Sequence, residues 1–179
     1  MIVVRDKNEL KELINQRIEY QGPNCDLNDI DVSHIKDMSY MFCDTTFDGD
    51  ISKWDVSNVT NMECMFFKSI FRGDISKWNV SRVKDMTCMF YNSIFNSDLS
   101  GWDVSNVERM NGMFNHSCFD SDISGWDVSN VKNMRGMFFN SQFTGDLSKW
   151  DVSSVEDMYC MFWGSPLYGR EPSWYEINS

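Results

Sequence analysis

Acidic side chains recur at one fixed spacing, and their chemistry has two interpretations. An aspartate, or once an asparagine, follows a tryptophan and precedes a valine every 24 residues. These candidate partner-binding residues are Asp55, Asn79, Asp103, Asp127 and Asp151, preceded by Asp31. Stacked strands lie about 4.8 Å apart, and two unit charges at that distance repel by roughly 1 kcal/mol in water. The row is therefore either an electronegative ridge for a basic partner or a set of acceptors for backbone and serine groups.

Two further columns flank this row. Lysine occupies the first at Lys53, Lys77 and Lys149, but the middle units have Gly101 and Gly125, which leaves the centre more negative. The second column is acidic and consists of Asp50, Asp74, Asp98, Asp122 and Asp146. Each of these aspartates follows a glycine or serine, which predicts an Asx-type turn. Calcium binding is the alternative, but the nonapeptide calcium repeat is absent.

Aromatic residues form a third candidate binding column. Its members are Phe67, Tyr91, Phe139 and Trp163, which align with Cys43 and Asn115 in the remaining units. Aromatic side chains anchor many protein interfaces, so the column is a candidate contact stripe. The alternative is that these rings cover the edge of the core.

The sequence predicts no catalytic, metal or cofactor site. Every candidate Ser, Asp and Cys belongs to a repeating column, and repetition is a poor way to build one active site. Six cysteines are present without a Cys-x-x-Cys pair, and His34 and His116 lie far apart, which argues against zinc. Cys64, Cys88 and Cys160 share a column with Tyr40, Gly112 and Gly136. We expect reduced thiols there, selected for small size at a crowded bend.

The whole chain is organised by the same 24-residue period. Trp54, Trp78, Trp102, Trp126 and Trp150 form one column, which Trp174 continues, and Met-Phe pairs recur from Met41-Phe42 to Met161-Phe162. One unit buries roughly eight apolar side chains at about 1.5–3 kcal/mol each, whereas ordering its backbone costs about 1–2 kcal/mol per residue. A single unit therefore cannot fold, and stacking of identical coils is required.

Two local patterns follow one another within each unit. Trp54, Asp55 and Val56 alternate as in a strand, while Val59, Met62, Met65 and Phe66 are spaced as on a helical turn. The fold class expected is an α/β repeat, with one short parallel strand and a helical or 3-10 arc per coil.

The pattern Trp-Asp-Val-Ser-x-Val-x-x-Met-x-x-Met-Phe, followed by Phe-x-x-Asp-Ile/Leu-Ser, resembles the repeats of BspA-like leucine-rich-repeat surface proteins of bacteria. The resemblance covers about residues 26–165. It implies a right-handed, leucine-rich-repeat-like solenoid in which Trp54–Val56 and its counterparts form a parallel sheet. Valine stands at Val59 and its counterparts, where ordinary leucine-rich repeats carry an asparagine ladder.

Three segments are predicted within one domain. Residues 1–25 form an N-terminal cap with a helix over Glu9–Tyr20, started by Asp6 or Asn8 and stopped by Gly22-Pro23. Residues 26–165 form a six-repeat solenoid. Residues 166–179, with Pro166, Pro172 and Trp174, form the C-terminal cap.

These features favour a non-catalytic protein-binding module. A net charge of −11 and a pI near 4.5 argue against direct binding of nucleic acid or anionic lipid and favour a basic protein partner. The alternative is an intracellular inhibitor from a mobile element, whose aspartates imitate phosphates and block a basic groove of a nuclease or defence protein. The charged N-terminal stretch and the absence of a long apolar run predict a cytoplasmic location, with surface exposure only by a non-standard route. The oligomeric state is left open.

Overall fold

The computed structural model describes residues 1–175 and contains little regular secondary structure. Strand β1 covers Ile2–Val3, helix α1 covers Lys7–Gln21, and strand β2 covers Ile30–Asp31. The remaining described residues form turns and bends that repeat along the chain. Isolated parallel bridges join positions 24 residues apart, in the series Asp37, Asn61, Asp85, Arg109, Asn133 and Asp157. The 24-residue units therefore lie next to one another in sequence order.

Neighbouring coils are joined mainly through one stretch, residues 60–68 and their counterparts, here called the ladder segment. In residues 60–68, the amide N–H groups of Met62, Cys64, Phe66 and Lys68 donate to carbonyls of the next coil at 2.8–2.9 Å. The amides between them turn back on their own coil, as when Met65 N–H donates to Met62 O at 3.2 Å. Consecutive amides thus alternate between the next coil and a local turn.

The ladder segment is a series of tight turns in place of the expected helical arc. A helix needs consecutive residues in the right-handed region, but Cys64 and Lys68 have φ of +52° and +53°. The same two columns are left-handed in every coil. Their other members are Tyr40, Cys88, Gly112, Gly136 and Cys160 in the first column, and Asp44, Asn92, His116, Asn140 and Gly164 in the second.

The expected strand at Trp54–Val56 also differs from the structure. Its alternation of buried and exposed residues is present, but its backbone makes no hydrogen bond to a neighbouring coil within residues 1–175. Local turns close on either side, with Trp54 N–H donating to Ile51 O and Val59 N–H to Val56 O. The three residues lie between these two turns, so the alternation is present here without a hydrogen-bonded strand partner.

Side chains join the coils where the backbone does not. The Trp54 indole Nε1–H donates to Leu27 O of the preceding coil at 2.9 Å. The same bond, reaching back 27 residues, recurs at Trp78, Trp102, Trp126, Trp150 and Trp174. The Asn58 amide likewise donates to Ser33 O at 2.8 Å. Asn106 and Asn130 make the same bond to the preceding coil, whereas Arg82 and Ser154 replace asparagine in the other two. A partial asparagine column therefore stands one residue before the valine column.

Stacked aromatic rings fill the core. Phe42, Phe66 and Phe90 lie 5.5–5.6 Å apart between ring centroids and within 4° of parallel. A second stack runs through Phe47, Phe71 and Phe95 at 6.0–6.2 Å. These phenylalanines are fully buried, as are the paired methionines beside them. The sequence analysis overlooked a buried serine column, in which Ser69 Oγ accepts the Phe71 amide at 3.1 Å.

Both ends of the stack are covered. Helix α1 begins after Asp6, whose side chain caps the Asn8 and Glu9 amides, and it ends at Gly22. Buried Leu10 and Ile14 face the core, and β1 pairs with β2 in parallel. At the other end, Trp174 and Tyr175 pack against Phe162, with ring centroids 6.1 and 5.1 Å away. The rest of the predicted C-terminal cap, residues 176–179, lies outside the described residues.

We predict that Trp102→Phe destabilises the fold through its lost indole donor. Ile75 O would keep only the Trp78 amide N–H as a donor. Loss of the second hydrogen bond costs about 0.5–1.5 kcal/mol and should lower the melting temperature by a few degrees. Trp163→Phe is the matched control, because the Trp163 ring is largely exposed. Equal losses in the two variants, measured by thermal denaturation, would contradict the role assigned to the indole N–H.

We also predict that Lys68→Gly stabilises the chain. Left-handed backbone costs a non-glycine residue roughly 1–2 kcal/mol, and part of that cost is recovered with glycine despite its larger unfolded entropy. Lys53→Gly, at an exposed position without a positive φ, should have the opposite effect. Chemical denaturation of both variants measures the difference, and a destabilised Lys68→Gly variant would refute the argument.

Candidate functional site

The predicted partner-binding aspartates are exposed in every coil and also take part in turns. Asp55, Asn79, Asp103, Asp127 and Asp151 all point into solvent. In each, Oδ1 accepts the amide N–H of the serine two residues later, at 3.0–3.1 Å. Within residues 1–175, no hydrogen bond reaches Oδ2 of Asp103 or Asp127. One oxygen of these carboxylates thus holds the turn, and the other is open to solvent.

A second row of carboxylates accompanies the first. Its members are the five predicted turn formers, Asp50, Asp74, Asp98, Asp122 and Asp146, and all are exposed. Each Oδ1 accepts the amide of the serine two residues later, at 2.8–2.9 Å. We call the two rows together the acidic face. It comprises nine aspartates and Asn79.

Seven carboxylates of the acidic face have a lowered pKa, namely those of Asp50, Asp74, Asp98, Asp122, Asp127, Asp146 and Asp151. The pKa of Asp122 is lowered chiefly by the hydrogen bond from the Ser124 amide, although the charges of Asp98 and Asp146 oppose this shift. The pKa of Asp127 is lowered mainly by the Ser129 hydroxyl, against the charge of Asp151. Neighbouring coils therefore repel electrostatically, but local hydrogen bonds outweigh the repulsion.

The lysine column beside the acidic face is interrupted at its centre. Gly101 and Gly125 stand at the positions that carry lysine in neighbouring coils. A Cβ atom at Gly125 would meet nothing within 4 Å, and one at Gly101 would approach only Ser76 O, at 3.9 Å. Lysine would fit at both positions, so the fold does not require glycine there.

The structure brings together only part of the predicted aromatic stripe. Phe67 and Tyr91 stack with their ring centroids 4.8 Å apart, and both are half-buried. His116 then bridges the gap left by Asn115, with its ring 5.8 Å from Tyr91 and 5.6 Å from Phe139. The sequence analysis missed His116 because it belongs to the next column along the coil.

The last member of the stripe lies in a different setting. The Trp163 ring contacts Tyr168 of the closing segment, with centroids 5.1 Å apart. Both rings are more than half exposed, as is Tyr159 nearby. Neither tyrosine was singled out from the sequence, because Tyr159 stands at a variable position of the last repeat and Tyr168 lies beyond the repeats.

The cysteine column is better explained by backbone geometry than by reactivity. Its members share left-handed backbone with Gly112 and Gly136, which supports a structural constraint at this bend. Burial raises the pKa of Cys88 to about 12, so its thiol stays protonated and is a weak nucleophile. No group of three or more metal-ligating side chains lies together in residues 1–175.

We predict that acid destabilises the fold as the acidic face is protonated. Folded-state pKa values below the ordinary 3.8 mean that this stabilisation is present above pH 3.8 and is lost as the pH falls through the lowered values. Melting temperatures measured from pH 7 to pH 2.5 test this. The melting temperature of the Ser129→Ala variant should fall less on acidification, because this substitution removes the main cause of the lowered pKa of Asp127. A melting temperature that rises with acid would mean that repulsion dominates instead.

Comparison with known proteins identifies a family without an assigned activity. Neither the curated proteins nor the solved structures gave a match to the chain. One family model matches twice, over residues 9–118 and 92–178. Two overlapping matches to one model fit a tandem repeat, and together they cover most of the chain. The chain therefore belongs to the family described as "Mycoplasma protein of unknown function, DUF285".

Proposed function

We propose that this chain is a non-catalytic protein-binding repeat module whose acidic face binds a basic protein surface. The observation that carries the proposal is the open Oδ2 of Asp103 and Asp127, in coils without a lysine at positions 101 and 125. A carboxylate held through one oxygen is ordered before binding, so little further entropy is lost when its other oxygen meets a Lys or Arg.

The proposed scaffold is a right-handed solenoid of the leucine-rich-repeat type. The parallel bridges at 24-residue steps and the continuous aromatic stacks support it. In this arrangement each coil of the acidic face adds two carboxylates to a double row, except the coil with Asn79, which adds one. The length of the row then sets how many basic residues a partner can engage, as in other repeat proteins with extended binding surfaces.

The repeated use of each residue type supports a binding role over a catalytic one. Ser105 and Ser129 donate their hydroxyls to the aspartates two residues earlier, at 2.6 Å. The buried serines accept backbone amides. These hydroxyls already take part in turns. Within residues 1–175, His116 is hydrogen-bonded to Asn115 and Asn140, and no hydrogen bond joins either histidine to a serine hydroxyl.

The second candidate function is mimicry of nucleic acid, favoured by the presence of two rows of exposed carboxylates. Double-stranded DNA also presents two rows of regularly spaced negative charge. On this alternative the partner is a nuclease or defence protein with a basic groove. Inhibition of such an enzyme by the acidic face, relieved by added DNA, would distinguish mimicry from binding to a generic basic surface.

The proposal predicts weaker binding when charge is removed from the centre of the face. Asp103→Asn/Asp127→Asn should lower affinity for a decalysine peptide about fivefold to thirtyfold at low salt, since each exposed pair contributes roughly 0.5–1 kcal/mol. Its salt dependence should also flatten. The fold should survive, because Asn79 already accepts the equivalent turn hydrogen bond. Isothermal titration across a salt series measures both quantities.

Two matched variants make this test specific. Glu12→Gln/Glu19→Gln changes the net charge equally on the exposed side of helix α1 and should leave affinity nearly unchanged. Gly101→Lys/Gly125→Lys keeps every aspartate and should weaken binding at least as much as the asparagine pair. If the helix variant and the asparagine variant lost equal affinity, net charge alone would explain the effect, and the proposal would be wrong.

A further inference from the structure

A cavity of about 450 Å³ lies at the C-terminal end of the stack and belongs to neither predicted binding column as a whole. It opens between the last ladder segment and the closing segment of the chain. Four aromatic side chains contribute to its lining, namely Tyr159, Trp163, Tyr168 and Tyr175, together with the acidic residues Glu156 and Asp157.

The rings of this cavity are arranged differently from those of the core. Core phenylalanines stack nearly parallel, within 1° for Phe138 and Phe162. Trp163 and Tyr168 instead meet at 61°, and Tyr175 stands at 75° to Phe162. Rings at steep angles form walls around a space, whereas parallel rings fill it.

These rings are also too exposed to be explained as core. Tyr159, Trp163 and Tyr168 are 64%, 54% and 55% exposed, and they account for three of the large exposed side chains in the described chain. Clustering of such residues around one cavity marks a binding site more often than scattered exposure does.

The electrostatics of the cavity favour a cation. The Arg135 guanidinium lies over the Tyr159 ring, 4.8 Å from its centroid. Arg135 does not line the cavity, but its contact shows that this ring accepts a cation against its face. Asp157 is partly engaged, at 3.9 Å from Arg135, but Glu156 has no ion pair within residues 1–175. A cation entering the cavity would meet aromatic faces and one uncompensated carboxylate.

We propose that this cavity binds a trimethylammonium group, such as that of choline. Aromatic rings that share a cavity with a carboxylate suit quaternary ammonium ligands, because the ring faces attract positive charge while their apolar surface accepts the methyl groups. Sodium, potassium and primary ammonium ions are more strongly hydrated and too small to contact several walls at once. Selectivity for the methylated cation follows from the lining.

The test uses the full chain and choline chloride, with the choline methyl protons observed by NMR. Binding between ring faces should shift these protons upfield and give a saturable curve at millimolar concentrations or below. The neutral isostere 3,3-dimethylbutanol has the same shape without charge and should bind at least tenfold more weakly. Equal binding of the isostere, or no saturable shift with choline, would overturn the proposal.

Variants locate the binding to this cavity. Trp163→Ala and Tyr159→Ala should each weaken choline binding at least tenfold, and Glu156→Gln a few-fold. Tyr20→Ala removes a still more exposed aromatic ring from helix α1 and should have no effect. Melting curves of all variants check that the fold is intact, and unchanged affinity in both alanine variants at the cavity would contradict the assignment.

A vesicle-binding experiment distinguishes a lipid headgroup from a free ligand as the source of the trimethylammonium group. Co-sedimentation with phosphatidylcholine vesicles, but not with phosphatidylglycerol vesicles, would indicate a lipid headgroup. Choline binding without co-sedimentation would indicate a free ligand. Because the acidic face plays no part in this cavity, Asp103→Asn/Asp127→Asn should bind choline as the unchanged chain does.

Discussion

Hydrogen bonding between successive coils is the constraint on which the rest of this structure depends. Alternate amides of the ladder segment find acceptors only on the next coil, and each tryptophan indole finds its acceptor on the preceding one. Burial without those partners would leave polar groups unsatisfied, at a cost of about 1–3 kcal/mol each. A coil is therefore stable only between neighbours, and its period must be kept constant for the donors and acceptors to meet.

The same constraint explains why binding and architecture share residues. The coil changes direction repeatedly, and each bend at the acidic face is held by an aspartate oxygen on a backbone amide. The five coils of the acidic face necessarily place carboxylates in rows, because identical turns recur at identical positions. The turn uses only one oxygen of each carboxylate. The acidic face is thus a consequence of the turns, and its use in recognition depends on the glycines that leave its centre without basic side chains.

The surface of the chain differs from one coil to the next only where the sequence departs from the repeat. Gly101 and Gly125 interrupt the lysine column, His116 interrupts the aromatic stripe, and the closing segment replaces a further coil with Tyr168 and Tyr175. In the interior such departures are absent over most of the stack, because a change in one coil would disturb the parallel ring stacking of both neighbours.

No helix in the part of the chain described is long and apolar enough to cross a membrane.

The sequence by itself determined the period, the buried columns, the N-terminal helix and the exposure of the acidic row, because each depends on side-chain type at a fixed interval. Tertiary structure decided how the backbone connects the coils. Alternation at Trp54–Val56 fits a strand and a pair of tight turns equally well, and only the neighbouring coil shows that the ladder lies at residues 60–68 instead. The left-handed positions, the indole bonds and the C-terminal aromatic cavity likewise depend on contacts between residues more than twenty positions apart or on the end of the stack. A pattern read along one coil carries no information about which carbonyl of the next coil lies within reach.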